Sequence, residues 1–358
     1  MTDQLSLALM AIGLGVLAAV ALLVPFVAIS YRRRGTVTLG RALVWAAALV
    51  YSWSIWTYTL LPLPDPDDLV CQGRNLQPGQ FLRDLVGVWS EHAGSWRALV
   101  LDPVVLQLVL NVALFVPLGF FVRWLGGRGA LLAGMAGLAV SGLIELTQLT
   151  GVWGLYDCAY RVFDVDDLLM NTAGAVIGSL LGLVVPRRLR GLDRSPDADR
   201  PRPVTKRRRL LAMLLDLLGT LLTTIVVSVA VNAWLLYMAD DREEIGQAPA
   251  AYIGPVVTAL IWLVVVLATG RSVGDLAVRL DWRGSPQPAA LSRVLRYLTG
   301  IGGYTVLGLV PGWGEGAAGV LGLAILVTAL ATDNGRGLPG LATGHRLVDD
   351  RDQPEGTR

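Results

Sequence analysis

The chain has 358 residues, 54% of them hydrophobic and only 16% charged, with a formal net charge of +2 and a mean hydropathy of +0.56. Soluble domains carry about a quarter charged residues, so this balance excludes an ordinary water-soluble domain and points to the bilayer. The small net charge by itself says little, and no nucleic-acid partner is expected.

In chain order the apolar residues form nine blocks, at about 5–30, 40–61, 104–122, 130–150, 168–185, 210–238, 252–269, 297–312 and 315–332. Most approach the length that spans ~30 Å of hydrocarbon. The last two are short and rich in glycine. The first follows Asp3 with no basic residue before it and no small-residue cleavage site after it, which reads as a retained span, not a signal peptide. The expected fold is an all-α integral membrane protein, a polytopic helical bundle of about nine transmembrane helices.

Arginine follows the first block (Arg32–Arg34), separates the third and fourth (Arg123, Arg128) and follows the fifth (Arg187, Arg188, Arg190). KRRR (206–209) precedes the sixth block, five arginines from Arg271 to Arg296 lie between the seventh and eighth, and Arg336, Arg346 and Arg351 lie near the C-terminus. With nine spans all of these share one side. That side is the cytoplasm by the positive-inside rule, which puts the N-terminus outside and the C-terminus inside. The opposite side receives PDPDD (64–68) and DDREE (240–244). It also receives the two cysteines, Cys71 and Cys158. Cysteine pairs form bonds in oxidising compartments, and the pair stays open between a disulfide and two free thiols.

The outer segment from Pro62 to Pro103 is long, mixed in charge and carries Trp89 and Trp96. A short amphipathic helix near 79–93, resting at the headgroup level, is expected there. Residues 187–208 are rich in Pro, Arg, Asp and Ser without apolar periodicity, the composition of a flexible, basic, cytoplasmic linker. The domains read as 1–186 with five spans, the linker 187–208, 209–350 with four spans, and a tail 351–358. No internal repeat relates the halves, so an inverted-repeat transporter has no support.

Polar residues line helix faces in the first half. In the fifth block Asp164, Asp167, Asn171, Gly174 and Gly178 recur at steps of three and four, one face of a helix with an acidic outer end and a glycine groove. The fourth block repeats the pattern with Gly134, Gly137, Ser141, Glu145 and Gln148, so the small and polar halves of the two helices are expected to meet. Asn111 lies in the outer half of the third block, above Pro117 and Gly119. Arg161 offers the counter-charge, and Asp166, on another face, suits a helix N-cap. Asn111, Glu145, Gln148, Arg161, Asp164, Asp167 and Asn171 thus converge as a polar pocket opening outward, and intramembrane ionisable groups are functional by default.

The chemistry is less constrained. His92 and His345 are the only histidines and both fall outside that set, which excludes His-ligated zinc and Ser-His-Asp hydrolysis. The carboxylates suit Mg²⁺ or Ca²⁺, or general acid and base work, but no pattern indicates a metal or any cofactor. Arg161 suits a phosphate or a carboxylate.

The segments NVALFVPLGF (111–120), SGLIELTQL (141–149) and RVFDVDDLLMNTAGAVIG (161–178) resemble the VanZ-like family over about residues 40–186. Asn111, Pro117, Glu145, Gln148, Arg161, Asp164, Asp167 and Asn171 take its motif positions. The resemblance implies a bacterial plasma-membrane protein of the cell envelope that affects susceptibility to glycopeptide antibiotics such as teicoplanin. The second half, about 205–350, is similar to the RDD family through RLLAMLLD (209–216), with Arg209 and Asp216, GRSVGDLAVRL (270–280) and Arg293. Asp275 stands where that family often has lysine, and Pro339 and Gly340 where it has a late aspartate. Asp216 equally suits an intrahelical pair with Arg209.

Four functions stay open at this point. One is a binding protein for an anionic or amphipathic ligand: a cell-wall precursor, a lipid headgroup or a lipoglycopeptide. The second is a carboxylate-dependent hydrolase or transferase acting on a lipid-linked substrate. The third is an ion or solute transporter working through Asp216, and the fourth a scaffold without chemistry.

Overall fold

The computed structural model describes residues 2–92, 95–191, 193–237 and 248–352. The acidic stretch 240–244 and most of the tail 351–358 lie outside the described residues. The first part of the chain contains α1 (Thr2–Ala21), α2 (Leu23–Arg34), α3 (Leu39–Leu60), β1 (Arg74–Asn75), α4 (Gln80–Glu91), α5 (Trp96–Leu101), α6 (Pro103–Trp124), α7 (Ala130–Leu149), the single turn α8 (Gly151–Gly154), β2 (Phe163–Asp164) and α9 (Val165–Leu181). The second contains α10 (Lys206–Tyr237), α11 (Ala248–Thr269), α12 (Val273–Ala277), β3 (Leu280–Arg283), α13 (Ala289–Leu298), α14 (Ile301–Gly308), α15 (Gly314–Ala331), α16 (Gly337–Thr343) and β4 (Arg346–Asp349). Among the described residues the protein is thus mostly helical, with two short two-stranded sheets.

Six helices among the described residues are long and apolar enough to cross a bilayer: α6, α7, Val165–Val184, Lys206–Leu236, Ala251–Thr269 and α15. A seventh span is counted if Ile12–Ala21 and Leu23–Arg34, which break at Leu22, cross together. The nine expected spans are therefore not all present as long apolar helices. The block 40–61 does form the 22-residue α3, but five Trp and Tyr residues and a Ser/Thr-rich second half hold down its hydropathy. The block 297–312 is not one helix. It breaks after Leu298, and α14 has eight residues, ~12 Å at 1.5 Å per residue, too short for a membrane core. Glycine explains the break, since a Cβ on Gly303 would stand 1.8 Å from the Leu298 carbonyl oxygen.

The chain divides into two compact units, residues 1–19 with 38–193, and 20–37 with 194–358. In the first, α3, α6, α7 and α9 surround a core of Ile55, Phe115, Ile144 and Ala175. Helix α6 begins with Asp102 accepting from Val104 N at 2.9 Å and Pro103 in the first turn, a start that supplies one orphan donor with a partner and removes another. Pro117 deprives the Ala113 carbonyl of its helical donor, and beside it the Tyr51 hydroxyl donates to Leu114 O at 2.7 Å.

The glycine groove of α9 takes a different partner from the one its spacing suggests. A Cβ on Gly174 would stand 2.2 Å from Val112 O, and one on Gly178 only 1.8 Å from Val116 O, so the groove receives the backbone of α6. Helix α7 packs beside it, with Gly137 against Ala175 and Gly134 against Val176. Two glycine-bearing helices need not use their grooves on each other when a third backbone fits closer.

In the second unit, α2 packs against α10 and α12, and the Arg208 guanidinium lies 5.4 Å from the Tyr31 ring centre. Strands β3 and β4 pair antiparallel, Leu280 opposite Asp349. The chain between them therefore returns to the face it left, with α14 and α15 packed as a hairpin. Residues 194–205, read from composition as a flexible tether, are docked: Ala198 is buried and its carbonyl accepts from Arg351 Nη1 at 2.8 Å, while Arg202 N donates to Asp349.

Candidate functional site

The polar face of the first unit is assembled at the N-terminal end of α9. Asp164 is the N-cap, its Oδ1 accepting from Asp166 N at 2.8 Å. Its other oxygen accepts from Asn75 Nδ2 at 3.1 Å, and its backbone N–H donates to Glu145 Oε2 at 3.2 Å. One turn on, Asp167 accepts from Asn111 Nδ2 of α6 at 2.5 Å. A further turn on, Asn171 donates to Ser141 Oγ of α7 at 2.8 Å. Gln148 points elsewhere, donating to Thr59 O of α3 at 2.7 Å. Asn111, Glu145, Asp164, Asp167 and Asn171 are thus joined across three helices, and Gln148 extends the same polar layer to the fourth.

Two residues behave differently from their sequence expectation. Asp166 does not cap its own helix, a task that Asp164 performs. It is buried and accepts from Gly79 N at 2.7 Å and Phe81 N at 2.9 Å, which caps α4, the helix expected near 79–93. Arg161 is exposed and has no ion-pair partner among the described residues, so the counter-charge role is not taken up by direct pairing. It lies close enough to act electrostatically on Glu145 and on Tyr160. Burial raises the Tyr160 phenol above its ordinary value, against the pull of the Arg161 charge.

The outer segment is fastened over this end of the helices. Cys71 and Cys158 form a disulfide, β1 pairs parallel with β2, and the Tyr156 hydroxyl donates to Pro64 O at 2.9 Å. With Asn75 on Asp164 and Asp166 on α4, the motif aspartates serve as the floor on which the loop rests. Asn75 escaped the sequence reading because a loop residue has no periodicity to reveal it. Between Thr150 and Leu155, the α8 turn holds Val152 and Trp153 at φ 56° and 59°, and the Trp153 side chain is exposed. Among the described residues no three His, Cys, Asp or Glu side chains are grouped to hold a metal ion.

In the second unit, Arg209 pairs with Asp275 across 66 residues at 2.5 Å, not with Asp216 on its own helix. The second Asp275 oxygen accepts from Trp282 Nε1 at 2.8 Å. Asp216 is buried and accepts from Ser272 Oγ at 2.6 Å and Gly274 N at 2.7 Å. The approach needs glycine, because a Cβ on Gly274 would stand 1.9 Å from Ala212 O. Asp275 thus supplies the Arg209 counter-charge. At the exit of this unit, Asp349 accepts from Arg351 and from Arg208 Nη1 at 2.6 Å.

No curated protein and no solved structure matches the chain. The VanZ/LLP1 family model matches residues 43–186, a stretch that takes in α6, α7, α9 and the whole aspartate motif, so this part of the chain is similar to that family.

Proposed function

We propose that the protein is a VanZ-type component of the bacterial cell envelope, spanning the plasma membrane with its N-terminus outside and its C-terminus in the cytoplasm. Its polar cluster of Asn111, Glu145, Gln148, Arg161, Asp164, Asp167 and Asn171 binds an anionic or amphipathic ligand from the outer face: a cell-wall precursor, a lipid headgroup or a glycopeptide antibiotic. This activity lowers susceptibility to glycopeptides of the teicoplanin type. The observation that carries the reading is Arg161. The neighbouring acids are engaged by hydrogen bonds, whereas this exposed guanidinium has no carboxylate partner among the described residues, and a guanidinium so placed suits a phosphate or carboxylate.

The orientation is supported within each unit. In the first, Arg41 Nη2 reaches Gly191 O and Gly191 N reaches Trp124 O, which gathers the basic connections at the end away from the disulfide. In the second, the Arg208–Asp349 pair and the β3–β4 ladder gather three basic segments on one face. Arg161→Ala and Glu145→Ala should each reduce teicoplanin resistance of an expressing susceptible host to the empty-vector level at unchanged membrane abundance. Full resistance in both variants sinks the reading.

A second reading concerns residues 205–350, which we assign to the RDD type, and moves an ion or small solute through that half. It rests on Asp216, a buried carboxylate inside a candidate span whose partners are a hydroxyl and an amide, with no cation paired to it among the described residues. Proton or sodium flux in vesicles, absent in Asp216→Asn, is the expected result; vesicles without flux sink it. A hydrolase at the first cluster has weaker support, since Asp164 and Asp166 spend their oxygens on structural donors.

A further inference from the structure

Arg296, in α13, is 8% exposed and makes no hydrogen bond or ion pair among the described residues; its Nε is buried without a partner. Its charge rests against the Trp282 ring, 5.6 Å from the ring centre, a cation–π contact that does not replace a counter-charge. The carboxylates nearby are already committed. Asp275 holds Arg209 and Trp282, and Asp281 accepts from Trp282 N at 2.9 Å and Arg283 Nε at 3.2 Å. A second guanidinium comes to the same place. From the point where a Cβ on Gly270 would lie, Arg296 Nη2 is 3.3 Å away and Arg293 Nε is 3.5 Å away. Arg293 gives one bond, from Nη1 to Leu267 O at 2.6 Å, and has no carboxylate partner among the described residues.

Two like charges side by side, one of them buried, are costly unless an anion joins them. Both line a polar cavity of about 340 Å³, together with Gln287, Ser292 and His345. Gln287 Oε1 is buried without a donor, and burial, with the Arg296 charge, holds His345 below its ordinary value. The cavity is open and sits in the segment between α11 and α13, on the side that we assign to the cytoplasm.

We propose that this cavity is a binding site for a phosphate group, gripped between Arg293 and Arg296 and carried either by a lipid headgroup or by a soluble phosphate. A phosphate has enough oxygens to engage two guanidinium forks at once, whereas a carboxylate presents a single edge. The volume holds the phosphate and the first atoms of what carries it. The unpartnered Gln287 Oε1 offers an acceptor to a protonated phosphate oxygen, while Gln287 Nε2 and the Ser292 hydroxyl already donate to Ala342 O at 3.3 Å and Ala289 O at 3.0 Å.

The test uses the full chain, with inorganic phosphate as one probe and phosphatidic acid as the other. Equilibrium dialysis of radiolabelled phosphate against protein in uncharged maltoside micelles reads the soluble source. The melting temperature in phosphatidylcholine nanodiscs, with and without phosphatidic acid, reads the lipid source. Saturable binding in either arm is expected, weakened at least tenfold in Arg296→Gln. Because a buried arginine also supports the fold, Gln287→Glu provides the independent check: it keeps the side-chain volume and puts a resident carboxylate in the cavity, and it too should weaken binding at least tenfold. Binding in the first arm assigns the soluble source, and a phosphatidic acid shift alone assigns the lipid. No saturable effect in either arm, or unchanged affinity in a folded Gln287→Glu, overturns the proposal.

Discussion

The Asp166 carboxylate in the first turn of α9 accepts from Gly79 N at 2.7 Å and Phe81 N at 2.9 Å, and so caps a helix 87 residues earlier in the chain. A buried carboxylate on two backbone amides is a charge-assisted bond to groups that have no helical partner. Asp166→Ala should destabilise the protein by about 1–3 kcal/mol, with most of the effect in the outer segment. Limited trypsin cleavage at Arg83 and Arg97 should accelerate in the variant while the rest of the digest stays unchanged. Equal cleavage rates would show that the disulfide and β1–β2 suffice to hold the segment.

The same residue marks where sequence reading stops. The face of α9 was legible because Asp164, Asp167, Asn171, Gly174 and Gly178 share a helical period, and a period survives without knowledge of tertiary contacts. What each residue touches was not. Gly174 and Gly178 meet α6, because the spacing states how close a partner can come and not which partner comes. Arg209 finds Asp275 in preference to Asp216, and Asp275 is held there by a turn capped through Ser272. Composition likewise overstated the spans: the block 297–312 has the hydropathy of a membrane segment, but Gly300, Gly302 and Gly303 divide it. Arg296 escaped notice because nothing in its neighbourhood of sequence distinguishes it from the arginines that set topology.

The α6–α9 contact makes Gly178 intolerant of a methyl group, and a glycine outside that contact serves as the control. Gly178→Ala would force a methyl to 1.8 Å from the Val116 carbonyl, and overpacking of this kind costs about 1–3 kcal/mol. Gly316, in α15, faces open space, so Gly316→Ala should be neutral or stabilise by up to about 1 kcal/mol through lost backbone freedom in the unfolded chain. Melting temperatures of the two purified variants decide. Equal shifts would mean that α6 and α9 lie further apart than described.

The Cys71–Cys158 bond closes a loop of 87 residues. Its removal in Cys71→Ser should cost roughly 2–5 kcal/mol and also tests the side of the membrane. Intact cells should react with a membrane-impermeant maleimide only after reduction, at both cysteines. Labelling before reduction would indicate free thiols. Labelling that requires cell lysis would place the loop in the cytoplasm and reverse the proposed orientation.

Asp349 gives a prediction in pH. Burial alone would raise this carboxyl, but bonds from the Arg351 side chain and backbone and from Arg208 overcome it and hold the value at about 2. A folded value depressed below the unfolded ~3.9 contributes stability that is complete above pH ~4 and is lost as pH falls through about 2. The contribution is at most about 2.6 kcal/mol, at ~1.4 kcal/mol per pH unit of displacement. Asp349→Asn removes it and also leaves Arg208 and Arg351, both nearly buried, without their counter-charge. The melting temperature of the variant should lie below that of the wild type by a constant margin from pH 7 down to about 4, and the margin should narrow between about 4 and about 2 as Asp349 itself protonates. A margin that ignores pH across that window would mean that the carboxylate is not ionised in the folded protein, and that the Arg208–Asp349–Arg351 cluster is held by shape and neutral hydrogen bonds.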